Sequence, residues 1–326
     1  IFGNEIPEIG TKHGSRIARQ IVHKVKSMDP SRPTLASING VFAAGDDIMT
    51  IMADIASDND MSFEGNINDF MTLMDTQMHN IVRHETVSKN LEFATASTDI
   101  AGYNYMTARY EEDAVNYPNR VMVGSETYPP QIAENWDIIT KTPSVIGDFT
   151  WTGWDYIGEA GVGIPAYNFG EGGFGAHFPA QLSYVGDIDI TGFRRPASYY
   201  REIVFGRRTN PYISVQNPHH YGKHLIKTPW VISDSVSSWT WTGVDGQPVV
   251  VEVYAQGDEV ALYLDDTLVE RKSVGDNLAF CATFELLYQA GTLKAINYRN
   301  GKVLGEMNLT TADPSTKHLV VTEDFT

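Results

Sequence analysis

Short apolar runs alternate with helix-period segments from the first residue to about residue 205, and few folds accommodate that rhythm. "IFGNE" reads as the end of a strand. A helix is expected over about Thr11 to Ser27, with Ile17, Ile21, Val22 and Val25 on one face, and "MDPSRPT" stops it with two prolines. "TLASI" is a short strand. Residues 40–98, rich in Met, Asp and Asn, read as a long loop-and-helix excursion. "TDIAGYNYM" is the next strand, ending near Asn104 and Tyr105, and "EEDAVNYP" is a short helix. "RVMVGSE" is a strand, and "PPQIAENWDIITKTP" is a helix with proline at its start and after its end. "VIGDFTWTGWDYIG" runs from strand into loop. A Gly-rich loop follows to about Gly186, and "RRPASYYREIVFG" is a helix. Strand and helix in alternation predict a parallel sheet with crossover helices.

After about Tyr212 the pattern changes. "NPHHYGKHLIKTP" looks like a connection. Beyond it the period is two, in "PVVVEVYAQGDEVALYLDD", "LAFCATFEL" and "GTLKAINYRNGKVLGEMNL", with "RNGK" a hairpin signal. This predicts an antiparallel sandwich of immunoglobulin-like type. Three segments are expected: an α/β region over 1–212, a linker over 213–233 and an all-β domain over 234–326. In "SSWTWTG" the two tryptophans, at alternate positions, are read as packing residues.

The 41 acids outnumber the 24 bases, for a formal charge of -17, which disfavours nucleic acid and anionic membrane surfaces as partners. No apolar run approaches the about 18 residues of a spanning helix. The single cysteine, Cys281, excludes an internal disulfide and reads as a small core residue. No metal-ligand spacing stands out, and no cofactor is expected. His219 and His220 are adjacent and read as loop residues. "IFGNEIPEIG" starts inside an apolar strand without Met, which suggests a missing upstream segment and leaves localisation unassigned.

"VMVGSETYPP" places an acid, Glu126, where an apolar strand stops, and "FGNE" does the same with Glu5. Either alone could cap a helix or face water. Two at one end of a single sheet suit cleavage of a glycosidic bond. One carboxyl is protonated for the departing oxygen, and the other is ionised to attack or stabilise the anomeric carbon. Surroundings and mutual repulsion must separate their pKa values. A sugar site also needs aromatic faces and polar groups, which "YNY", "WTGW", "WDY" and "NFG" offer.

"FGNEIPE", "DIAGYNYMTARY", "YPNRVMVGSETYP", "VIGDFTWTGWDYIGEAGVG" and "GDIDITGFRRPASYYR", in that order, make the chain resemble the C-terminal part of a glycoside hydrolase family 2 β-galactosidase. The resemblance covers about residues 1–210, and the tail is similar to the small β-sandwich that follows the barrel in many members. It implies a truncated (β/α)8 (TIM) barrel, strands four to eight, followed by the sandwich. It implies a retaining, double-displacement mechanism with Glu5 as acid/base and Glu126 as nucleophile. Asn4 would bond the sugar 2-hydroxyl, Tyr105 would hold the Glu126 carboxylate, and Trp151 would form part of the sugar platform. Asn104, Trp154 and Asp155 are further substrate-binding assignments. A chain without the first strands is expected to be inactive or impaired alone.

β-Glucuronidases of this family grip the sugar carboxylate with an Asn-x-Lys pair near the last helix, and "DIDITGFRRP" has no such Lys. A neutral sugar is therefore expected, with a terminal β-galactoside or related oligosaccharide as partner. β-Mannosidase and β-glucuronidase are alternatives within the family. A non-catalytic carbohydrate-binding or adhesion module is the alternative outside it. A homo-oligomer is compatible with all of these.

Overall fold

The structure is a computed structural model that describes residues 1–58, 77–168, 171, 173, 176, 178–313 and 315. The middle of the 40–98 excursion, most of "NFG" and the last residues of the expected all-β domain lie outside this range. Two compact units are present, Ile1–Thr152 and Gly153–Thr326.

The first unit is built on a parallel sheet of β1 (Leu35–Asn39), β2 (Ile100–Asn104), β3 (Met122–Thr127) and β4 (Val145–Thr150), in that spatial order. Sequential parallel neighbours require crossovers, and helices Glu85–Thr95, Tyr110–Asn116 and Ile132–Lys141 supply them. Ahead of β1, Phe2 makes an isolated parallel bridge to Ala36, and Glu5 N–H donates to the Ser37 carbonyl at 2.9 Å. The opening residues thus lie alongside β1, as expected for a strand end. The first long helix, Lys12–Met28, starts where the Thr11 side chain accepts from Gly14 N–H. Its Ile17, Ile21 and Val25 are exposed, and Ala18 is the buried apolar residue. The sequence periodicity is therefore present, but the stripe it marks is not the core-facing one.

Apolar residues of the sheet and helices, among them Ile38, Tyr103, Met122, Val87 and Leu91, form one core. Behind it lies a buried ionic cluster. Asp113 accepts from Arg109 at 2.7 Å, from Arg120 at 3.2 Å and from the Tyr103 hydroxyl, while Arg109 also reaches the Val82 carbonyl at 2.8 Å. Gly124, in the "GSE" step, is required by crowding. A Cβ there would meet the Tyr110 hydroxyl and come within 2.9 Å of Asp148 Cβ.

The second unit carries a loop region, helix Pro196–Val204 and two four-stranded antiparallel sheets. One sheet orders β10 (Cys281–Leu287), β7 (Pro248–Tyr254), β5 (Tyr212–Gln216) and β6 (Ser235–Val236). The other orders β12 (Lys302–Thr310), β11 (Thr292–Arg299), β8 (Glu259–Leu264) and β9 (Thr267–Ser273). Alternate residues of both, such as Val251, Phe284, Leu262 and Leu293, share one core with Trp239, which is fully buried, and Trp241 packs against it. The expected connection over 213–233 begins instead as β5, because "YISV" is an apolar run that pairs with β7. "RNGK" turns β11 into β12 with Asn300 at φ 51° and Gly301 at φ 72°, both in the left-handed region a tight hairpin needs. Cys281 is half-buried at the start of β10, and burial pushes its thiol up to about 12. The full burial expected for it is not seen, because the apolar neighbours Ala282 and Phe284, not Cys281, occupy the inward positions of β10. His219 and His220 sit in a 3-10 turn, Pro218–His220.

Candidate active site

The candidate residues of the first unit converge at the C-terminal end of the parallel sheet. Register places Asn39 beside Asn104, and Asn104 beside Glu126. Glu5 and Asn4 come in from the chain that flanks β1. Asn104, fully buried, is the hub. Its amide Nδ2 donates to Glu5 Oε1 at 3.0 Å and to Asn4 Oδ1 at 3.3 Å, and its Oδ1 accepts from Ser125 Oγ at 2.5 Å. Asn39 Nδ2 donates to the same Glu5 oxygen at 2.9 Å. The Tyr105 hydroxyl donates to Glu126 Oε2 at 2.8 Å, and the Tyr105 ring stacks on Tyr128 with centroids 4.2 Å apart.

Two of these residues hold unusual backbone. Glu5 has φ 52° and Tyr105 has φ 58°, in a region where a side chain is strained. Each lies just past the regular pairing of a strand, so the backbone turn re-aims the side chain that follows. Asn39 adds rigidity. Besides contacting Glu5, its Oδ1 caps the next short helix, Gly40–Ala44, by accepting from Val41 N–H at 2.9 Å.

Glu126 titrates above the ordinary glutamate value. Burial is the largest cause. The Tyr105 hydroxyl opposes it, the neighbouring Glu5 charge adds to it, and the Asn104 and Asn4 amides oppose it. The two carboxyls are therefore within electrostatic reach, and a ring of neutral donors moderates their repulsion.

Trp151 lies half-buried just past β4, its N–H bonded to the Thr127 carbonyl at 3.0 Å, and the Trp151–Thr152 peptide is cis. Trp154 and Asp155 belong to the second unit. Trp154 is 55% exposed. Asp155 is buried and occupied: it pairs with Arg195 at 2.6 Å and accepts from Tyr184 N–H and Tyr156 N–H, each at 3.0 Å. Asn39, Ser125 and Tyr128 are absent from the sequence-based set. The signal for Asn39 was positional: it ends "TLASIN" as Asn104 ends "IAGYN", both at strand termini in one register. Among the described residues no group of three or more His, Cys, Asp or Glu could hold a metal ion. No helix of the described residues is long and apolar enough to cross a membrane.

Residues 246–305 match a domain family of unknown function, DUF4982. The chain is 30% identical over 185 residues to a protein provisionally named beta-glucuronidase from Formosa agariphila, covering 56% of this chain and 15% of that one. It is 28% identical over 182 residues to Beta-galactosidase BoGH2A of Bacteroides ovatus, covering 55% of this chain and 17% of that one. A solved glycosyl hydrolase family 2 member from Bacteroides cellulosilyticus superposes with a TM-score of 0.73 at 27% identity, over 95% of this chain and 34% of that one. The matched region thus spans less than a fifth of each curated relative. In ordered motifs, named relatives and fold, the chain resembles members of glycoside hydrolase family 2.

Proposed function

We propose that this chain forms part of a retaining glycoside hydrolase that removes terminal β-D-galactosyl units, with Glu126 as nucleophile and Glu5 as acid/base. The parallel sheet, together with the Phe2 segment that flanks it, would be strands four to eight of a TIM barrel, and the two-sheet domain later in the chain would be an immunoglobulin-like sandwich. The observation that carries the reading is the cluster at Asn104, which draws Glu5, Asn4 and the end of β3 together.

In the first displacement the Glu126 carboxylate attacks the anomeric carbon while Glu5 gives its proton to the departing oxygen. In the second, Glu5 takes a proton from water, which attacks the same carbon and frees Glu126. This requires carboxyl groups about 5–5.5 Å apart. Asn4, which is exposed, would bond the sugar 2-hydroxyl. Tyr105 keeps Glu126 oriented and favours its ionised form against the opposing effect of burial. Trp151 and Trp154 offer flat faces for the sugar, while Asp155 would act through Arg195 and the loop it fixes.

The neutral-sugar preference rests on the arginines of "GFRRPASYYR". Arg194 pairs with Glu202 at 3.0 Å, Arg195 with Asp155 at 2.6 Å and Arg201 with Asp187 at 2.6 Å. Each is paired within the fold, which supports a neutral sugar. The beta-glucuronidase name of one relative supports the opposite choice. A panel of nitrophenyl β-galactoside, β-glucuronide and β-mannoside on the full-length protein decides between them. Turnover greatest on the galactoside, abolished in Glu126→Gln with sugar binding retained, is expected. Greatest turnover on another sugar overturns the substrate, and an unchanged Glu126→Gln overturns the mechanism.

A further inference from the structure

A cavity of about 240 Å³ lies in the second unit and shares no lining residue with the carboxylate cluster. Its wall is built by two segments brought side by side. Ala166 and Ile226 exchange backbone hydrogen bonds at 2.9 and 2.8 Å, which sets Tyr167 against the turn at Pro218–His220. The Tyr167 and His220 rings lie 3.8 Å apart, centroid to centroid, and Tyr221 adds a third aromatic surface. Asp234 accepts from the Tyr167 hydroxyl at 2.7 Å and lies 3.6 Å from His220 Nδ1, which is buried without a hydrogen-bond partner. Asn217 uses its Oδ1 to cap the turn, leaving its amide N–H groups for the cavity. Lys223 lines the mouth, exposed and with no ion pair among the described residues.

The chemistry narrows the occupant. The volume is below the about 300–1,000 Å³ of pockets for drug-sized ligands, so one ring-sized molecule fits. Ring faces beside amide, ammonium and carboxylate groups suit a molecule with apolar faces and a hydroxylated rim. A phosphate would meet one cation and one carboxylate, in a chain of net charge -17. Among the described lining residues a metal ion would find only Asp234 and His220 as carboxylate or imidazole ligands. We propose that this cavity binds a single hexopyranosyl unit of a glycan, stacked on Tyr167 and Tyr221 and hydrogen-bonded by Asp234, Asn217 and Lys223.

The test titrates the full-length protein with methyl β-D-galactopyranoside and methyl β-D-glucuronide, following the His220 imidazole signals by NMR. The titration is repeated with Glu5 and Glu126 both changed to Gln, so that failure of the catalytic reading leaves this one decidable. Saturable movement of the His220 signals by either glycoside in both backgrounds is expected. Lys223→Ala, at an exposed position that leaves folding intact, is expected to weaken it about tenfold, the loss of one charge-assisted hydrogen bond. Tyr167→Phe, which keeps the ring, should retain binding, and Tyr167→Ala should remove it. Signals unmoved by both glycosides, moved equally in Lys223→Ala, or moved only by inorganic phosphate would overturn the proposal.

Discussion

Tyr105 and Asp113 show how single side chains set the behaviour of their surroundings. The Tyr105 hydroxyl opposes the upward push of burial on Glu126. Removing it in Tyr105→Phe takes a hydrogen bond from the ionised form, so the Glu126 pKa rises further. The acid limb of the kcat/KM profile should then move to higher pH, with the alkaline limb in place, as a pH–rate series on the full-length protein would record. Asp113 instead supports the fold. It is the shared acceptor of Arg109 and Arg120, which are 1% and 11% exposed at the side chain. Asp113→Ala leaves two sheltered cations without their anion, and a loss of about 3–5 kcal/mol is expected in a denaturant titration. Both acids of the candidate pair were legible in sequence because each ends an apolar run. Asn39 carried only its strand-terminal position as a signal, and Ser125 and Tyr128 carried none, because their roles arise from cross-strand register and ring stacking. Asp155 shows the converse: "WDY" marks it as polar and aromatic-flanked, but its pairing with Arg195, 40 residues away, is invisible before folding.

The strands were the most readable elements. The "RNGK" turn follows from chemistry alone, since Asn-Gly tolerates positive φ at both central positions. Gly301→Ala places a Cβ in that left-handed region and should cost about 1–2 kcal/mol, measured as a lowered Tm for the second unit's transition. The strand at Tyr212–Gln216 was harder to place. Its sequence suits a buried strand as well as the end of an α/β region, and only its antiparallel pairing with Pro248–Tyr254 assigns it to the β sheets. The first long helix misled in another way. Its apolar periodicity is genuine, yet Ile17, Ile21 and Val25 stand exposed while Gly14, Ser15 and Ala18 are buried. Small residues there allow close approach to the preceding turn: a Cβ on Gly14 would collide with the Glu8 backbone.

Across the whole chain, carboxylate titration should shape the response to acid. Asp99 is drawn down from 3.8 to about 2 by Lys26 and by the Thr34 backbone and hydroxyl, and Asp29, Asp189, Asp313 and Glu85 are also lowered. Such groups stabilise the fold above their unfolded values and lose that contribution as pH falls through the folded ones. Glu126, raised, works in the opposite sense: its ionisation disfavours the fold, and protonation relieves it as pH falls toward 4.5. Thermal stability should thus hold down to about pH 4 and decline between there and about 2, and melts across that range check it. The contribution of each exposed aspartate is small, so the decline should be gradual.

Cys281 carries a practical consequence. It is the sole thiol of the chain, and its pKa of about 12 leaves on the order of one molecule in a hundred thousand as thiolate at neutral pH. Maleimide and iodoacetamide reagents react through that form. A cysteine introduced on the surface, at Lys223 for instance, can therefore be tagged with a fluorophore while the sulfur of Cys281 stays silent.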